Sequence, residues 1–302
     1  MEYQELLSIS DGGLRHEGNM IMPQNMKNIM CVVTGASSGI GKEVSRGLAS
    51  LGAGLVMVCR SRQLGEEARA EIMRTSGSKN VHLMLCDLSS QNQIRALASE
   101  FTSRFDKLDV LVNNAAVIPT HRSDTEDGIE RQLAVNHIAY FLLTELLLDL
   151  LKASAPARII NVSSGMHRTA KLNFSDLQAR RRYRPLKQYA VTKLLNVLWT
   201  YELARRLEGT GVTANAMSPG FTATRIFRDF PVLSRTMARL LGKNVRKGAE
   251  TVTYMASSSE VAEVTGRYYE NRRPRPTGRL ARDSRSAAIA WEETEKLIRS
   301  PA

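Results

Sequence analysis

The chain has 302 residues, enough for one large α/β domain or two smaller ones. With 43% hydrophobic and 24% charged residues, it is composed like an ordinary globular protein and unlike a disordered or fibrous one. The net charge of +12 gathers in two Arg-rich pieces, "QARRRYRPLK" (178–187) and "GRYYENRRPRPTGRLARDSR" (266–285), neither of which resembles a groove-reading motif, so no specific nucleic acid is expected. Solvated loop charge is the plainer account of both pieces, and peripheral contact with an anionic membrane surface the sharper one.

Residues 1–27 show no sustained period and read as a loose extension, in which Met20, Met22 and Met26 could each be a start. The stretch lacks the charged n-region and apolar h-region of a signal peptide, and a soluble, cytoplasmic protein is expected. From there to residue 302 the texture is that of one domain. "IMCVVTG" is a β-branched run ending in glycine, and "EVSRGLASLG" follows at helical spacing. "GLVMVCR" reads as a strand, "EEARAEIMRTSG" as a helix, "VHLMLCD" as a strand, "QIRALASEFTSRF" as a helix and "LDVLVNNA" as a strand. A long helical tract contains "AYFLLTELLLDLL" (139–151), the nearest approach to a bilayer span. It reads as a buried helix, with Glu145, Asp149 and Lys152 along one side. Then come the strand "ARIINVSS", a helix around "QYAVTKLLN" (188–196), the strand "VTANAMSP", an irregular apolar segment, the helix "KGAETVTYMASS" and a short strand near "GRYYE". Strands alternating with helices of this length predict a single Rossmann-like, doubly wound parallel sheet with helices on both faces. The cysteines Cys31, Cys59 and Cys86 lie in strand-like runs and read as inert core thiols of a reducing compartment. His82, His121, His137 and His167 have no metal-ligand spacing, and no metal is assigned.

The first strand ends in "TGASSGIGKEV" (34–44), with Gly35, Gly39 and Gly41 between a strand and a helix. Glycines there let the backbone turn tightly against a pyrophosphate, and the helix N-terminus supplies free N–H groups and a positive dipole end. A dinucleotide is therefore expected. An NAD site usually carries an acid about 20 residues on, for the ribose 2′-hydroxyl. Here "VCRSR" puts Cys59 in that slot with Arg60 and Arg62 after it, and a guanidinium suits a 2′-phosphate. NADP(H) is favoured over NAD(H). In the later helix, Tyr189 and Lys193 are spaced i and i+4, on one face. A cation held beside a phenol favours the phenolate and brings the tyrosine toward the range of general acid–base catalysis.

"TGASSGIG", "CDLSS", "NNAA", "AVNH", "VSS", "YAVTK" and "SPGFTAT", in this order over residues 28–270, resemble the short-chain dehydrogenase/reductase family. Ala116 departs from it, standing where the family usually has glycine in N-N-A-G. The resemblance implies Tyr189 as acid/base, Lys193 as its activator and ribose clamp, and Asn136 as holder of a water that relays protons to Lys193. It leaves Ser163 and Ser164 as candidates for the serine. The retinol dehydrogenase branch, closest in texture, has a spacing that matches the 25 positions from Ser164 to Tyr189, and Ser164 is chosen. The implied cofactor contacts are Gly35, Ser37, Ser38, Gly39, Ile40 and Gly41 at the turn, Arg60, Asp87 with Leu88 for the adenine, Asn113 and Ala115, Tyr189 and Lys193. Pro219 and Gly220 would close over the nicotinamide, with Thr222 and Thr224 as amide or phosphate contacts.

A lid is expected around 221–245, where Ile226, Phe227, Phe230, Val232, Leu233, Met237, Leu240 and Leu241 suggest a lipophilic carbonyl or alcohol, retinoid-, steroid- or long-chain-aldehyde-like. The alternatives are a reductase of small polar carbonyls, or a nucleotide-sensing regulator that has lost the chemistry. The resemblance also implies a homodimer or homotetramer through residues 139–151 and the Tyr189 helix.

Overall fold

The computed structural model describes residues 25–220 and 245–299, so the expected lid, with Thr222 and Thr224, and the first 24 residues lie outside the described part. The strands are β1 (Met30–Thr34), β2 (Gly54–Cys59), β3 (Val81–Leu85), β4 (Val110–Asn113), β5 (Ala157–Val162), β6 (Val212–Ser218), β7 (Tyr268–Glu270) and β8 (Arg273–Pro274). The helices are α1 (Gly39–Ser50), α2 (Arg62–Ser76), α3 (Gln91–Arg104), α4 (Ala139–Ala153), α5 (Pro185–Arg206), α6 (Val245–Ser257) and α7 (Ser284–Arg299). The strands form a sheet ordered β3-β2-β1-β4-β5-β6-β7-β8, parallel through β7. The chain winds outward from β1 to β3 and then crosses back to β4. The crevice of such a sheet opens where that reversal lies, beyond the carboxyl ends of β1 and β4.

The strands are apolar on both sides because both faces are covered; every residue of β2 is buried. One face packs against α1, α2 and α6 through Val44, Leu48, Ile72 and Val252. The other packs against α3, α4 and α5 through Phe101, Phe141, Leu147, Trp199 and Leu203. Local signals set the helix starts. Ser61 and Ser90 accept backbone N–H bonds from Leu64 and Gln93 at the heads of α2 and α3. Pro185 begins α5, where its missing N–H costs nothing.

Several elements depart from the sequence reading. Met26, assigned to the loose extension, is buried and its N–H donates to Leu51 O at 2.8 Å, so the fold begins before residue 28. The "AVNH" stretch is a π-helical turn (Ala134–Ile138) between a short turn at Arg131–Leu133 and α4, and the three form one continuous helix. At residues 131–153 that helix is long and apolar enough to cross a membrane, which the 139–151 run alone is not; 72% of its most apolar 18-residue stretch is buried inside the fold, as in a core helix. Beyond β7 the chain turns through Asn271 and Arg272, both at positive φ, into the antiparallel β8. The C-terminal helix α7 packs over α5 and the π turn. Its Trp291 stacks edge-on against Phe141 at 4.8 Å, with the Arg206 guanidinium 3.8 Å from its ring centroid. Part of the apolar circumference of α4 is thereby covered from within the chain.

Candidate active site

A cavity of about 540 Å³ opens at the carboxyl edge of the sheet. It is bounded by the β1–α1 turn, the ends of β2 to β6, the tyrosine face of α5 and the β7–β8 turn. Gly35, Ser37, Ser38, Gly39 and Ile40 line it at the first turn. Gly39 has φ +58, a conformation that a side chain would strain. Among the described residues no side chain caps the first turn of α1, and that turn carries no acid, so its N–H groups and dipole end suit an anionic ligand. Gly41 does not line the cavity. A Cβ there would overlap the Gly35 carbonyl oxygen and lie 2.5 Å from Asn114 Nδ2, so Gly41 serves close packing beneath the turn.

At the end of β2, Cys59 is buried and Arg60 exposed, and both line the cavity. Burial pushes the Cys59 thiol up to about 11, so this slot holds a neutral thiol where an NAD site would carry a carboxylate. Asp87 and Leu88 line the next wall, with Asp87 Oδ1 held by the Ser89 N–H at 2.9 Å and hydroxyl at 2.7 Å. Ala115, Pro219 and Gly220 also line it.

Asn113 does not reach the cavity. It is fully buried, donating to Thr144 Oγ1 and Asn161 Oδ1 at 3.0 Å, and supports the central strand only. The alternation of a strand explains this: Asn113 points into the helical layer and its neighbour points out. Asn114 lines the cavity and donates through Nδ2 to Thr34 O at 2.8 Å, fastening β4 to the first turn. Asn136 is likewise buried and off the cavity wall. Its side chain closes a pair of bonds with the Val117 backbone, accepting from N at 2.8 Å and donating to O at 3.0 Å, and Val117 lines the cavity.

The catalytic candidates converge. Tyr189, Lys193 and Ser164 all line the cavity. The Ser164 hydroxyl lies beside the Tyr189 phenol on that wall and favours its ionised form. Ser163 is buried and donates to Lys193 O at 2.8 Å, so it fastens β5 to α5 and Ser164 is the serine facing the phenol. Lys193 is 1% exposed, its Nζ donating to Val162 O at 2.8 Å and lying 5.6 Å from the Tyr189 ring centroid. The same Nζ stands 5.2 Å from the ring of Tyr140, whose hydroxyl donates to Ala115 O at 2.9 Å. Two rings around one ammonium is a cation–π arrangement that the Tyr-Lys spacing alone did not reveal.

Burial, with no charged group among the described residues beside the pair, pushes Tyr189 up to about 12 and Lys193 down to about 7. The expected lowering of the tyrosine is therefore not built into the protein by itself; it needs a Lys193 held as ammonium. An anionic ligand in the cavity supplies the charge that holds it so. Glycine turn, uncapped helix and lysine together fit a dinucleotide.

The far wall was not anticipated. Glu270 and Asn271 from the β7–β8 turn line the cavity near Gly165 and Met166. Glu270 Oε1 accepts from Arg168 at 2.7 Å and from the Tyr268 hydroxyl at 3.1 Å, which fixes the carboxylate. The short "GRYYE" strand was legible, but nothing local pairs it with Arg168, about a hundred residues earlier.

The short chain dehydrogenase family profile matches residues 29–231. Human retinol dehydrogenase 12 is 40% identical over 270 residues, covering 88% of this chain and 85% of that protein. Human retinol dehydrogenase 14 is 38% identical over 295 residues, covering 91% and 88%. A crystal structure of an uncharacterised protein from Mycobacterium paratuberculosis superposes with a TM-score of 0.76 at 30% identity, covering 92% of this chain and 96% of its own. With the Ser164–Tyr189–Lys193 constellation set in this fold, the chain belongs to the short-chain dehydrogenase/reductase family and is an NAD(P)-dependent dehydrogenase/reductase similar to the retinol dehydrogenases.

Proposed function

We propose that the protein transfers hydride between NADP(H) and a lipophilic carbonyl or alcohol, and that Ser164 and Tyr189, side by side on the cavity wall, carry the chemistry. The cofactor supplies or accepts the hydride at its nicotinamide. In reduction, Tyr189 Oη gives a proton to the carbonyl oxygen while the Ser164 hydroxyl stabilises the charge developing there. In oxidation the same phenol takes the proton back. Lys193, held by Val162 O, keeps a positive charge behind the phenol and lowers the cost of its anionic form.

The NADP preference rests on Arg60 at the cavity rim and on the neutral Cys59 beside it. The lipophilic reading draws on the apolar residues crowded into 226–242 and on the retinol in the names of the relatives. Among the described lining residues, Val117, Ile118, Val135, Val162 and Met166 add apolar wall.

One panel tests both parts: straight-chain aldehydes of rising length, with NADPH and NADH, in the wild type and in Arg60→Ala. Each buried methylene adds about 0.8 kcal/mol, so kcat/KM should climb about fourfold per carbon until the pocket is full. Arg60→Ala should cost NADPH about 1.5 kcal/mol, the low end for a charged hydrogen bond because the guanidinium is exposed, and leave NADH unchanged. A flat length series with good turnover of sugars sinks the lipophilic reading. Equal losses for both cofactors sink the role of Arg60.

A pH dependence follows from Lys193. Its ammonium titrates at about 7 in the free protein, and binding an anion raises that value. Binding therefore takes up a proton between the two values. Affinity is flat below about pH 7 and falls above it, by at most about tenfold per pH unit. Titration with NADH, which lacks the 2′-phosphate, should show this slope in the wild type and none in Lys193→Met. A slope that survives the substitution assigns the proton to another group.

A further inference from the structure

A buried polar chain leads from α7 to the cavity wall and plays no part in the chemistry described above. Thr294 Oγ1 lies 2.9 Å from His137 Nε2, His137 Nδ1 lies 2.9 Å from Asn196 Oδ1, and Asn196 Nδ2 donates to Asn136 O at 2.8 Å. His137, Asn196 and Thr294 are each at most 2% exposed. Donor logic gives the chain a direction. Asn196 spends its amide on a carbonyl, so its oxygen faces the ring and can only accept. His137 Nδ1 must therefore carry the proton. The ring is fully buried and stays neutral, since burial drives its value down to about 4. Nε2 is then a bare acceptor, and the Thr294 hydroxyl must donate to it. The same hydroxyl lies 2.7 Å from the Ala290 carbonyl, to which a helical threonine donates when nothing else claims its proton; the bare Nε2 claims it here. Every donor thus points the same way, from Thr294 through His137 and Asn196 to the Asn136 carbonyl.

That carbonyl belongs to the π turn, and the Asn136 side chain grips Val117 of the cavity wall by two bonds. Asn196 also sits one helical turn from Lys193 on α5. The chain thereby ties three elements together at the back of the site: α7, the π turn and α5. None of its members touches the cavity. We propose that Thr294, His137 and Asn196 are positioning residues, through which the docking of α7 fixes the π turn and the Val117 wall that the reaction requires.

The test uses the full-length chain, with turnover read as decanal reduction by NADPH. Only this turnover arm rests on the proposed function. In the wild type, 15N spectra of the imidazoles should show His137 neutral and protonated at Nδ1. Thr294→Val keeps shape and loses the donor; kcat should fall about tenfold, the scale of one lost buried hydrogen bond, while KM for NADPH moves less. Thr294→Ser should restore both kcat and the Nδ1-protonated ring. A wild-type His137 protonated at Nε2 overturns the chain, and that reading needs neither a variant nor a substrate. Full kcat in Thr294→Val, or a Thr294→Ser as poor as the valine variant, overturns its role in positioning. A chain inert toward decanal fails the lipophilic reading alone, because the tautomer then decides the inference.

Discussion

Tyr189→Phe should bind NADPH as the wild type does and lose turnover by about a hundred- to ten-thousandfold, the range that a positioned proton donor contributes. The substitution removes one oxygen and keeps the ring, which faces Lys193 at 5.6 Å. The cation–π contact is therefore kept, and so is the packing of α5. What goes is the oxygen at Oη with its proton, on the cavity wall beside Ser164. Fluorescence titration with NADPH and a steady-state assay on the same preparation separate the two effects. A variant keeping most of its kcat would place the proton donor elsewhere.

Gly41→Ala should be strongly damaging, since among the described glycines it meets the closest overlap. The added Cβ meets the Gly35 carbonyl and Asn114 Nδ2, and neither can step aside. The first belongs to the turn itself, and the second is held on Thr34 O at 2.8 Å. Relief requires α1 to move away from β1, which spoils the row of N–H groups at its head. A loss of about 3 kcal/mol of stability is expected, the upper end for overpacking a close contact. NADPH binding should weaken with it. Chemical denaturation and NADPH titration read both, and a variant matching the wild type in each would show that the turn tolerates a wider spacing.

Much of this site could be read in the sequence, for a local reason. The glycine turn and the Tyr-Lys pair each sit in a short segment whose geometry is fixed by its own residues, whereas the choice of Ser164 over Ser163 comes from the family's spacing to the tyrosine. What was not legible depends on which strand or helix lies alongside. Asn113 and Asn114 are adjacent between apolar residues, and only the pleat decides which one meets the cavity. Asn136 read as a candidate beside Lys193; the π turn aims its side chain at Val117 instead. Tyr140 read as part of an apolar helix, because nothing in that helix indicates that Lys193 comes to rest against its ring. Glu270 needed Arg168, and α7 needed the surface left open by α4 and α5. The Arg-rich stretch before α7 drew attention to charge, although the helix after it buries Ala287, Ala290, Trp291 and Thr294.

The cover that α7 lays on α4 also sets a timetable for synthesis. The continuous helix at 131–153 leaves the ribosome early, with a composition that a membrane or a chaperone would accept. Trp291, which closes over Phe141, is made some 150 residues later. At about 5–20 residues per second, that interval is on the order of ten seconds. Throughout it, the most apolar of the described helices lacks its last neighbour. Its fate is then a race between completion of the fold and capture by whatever else binds a bare apolar helix.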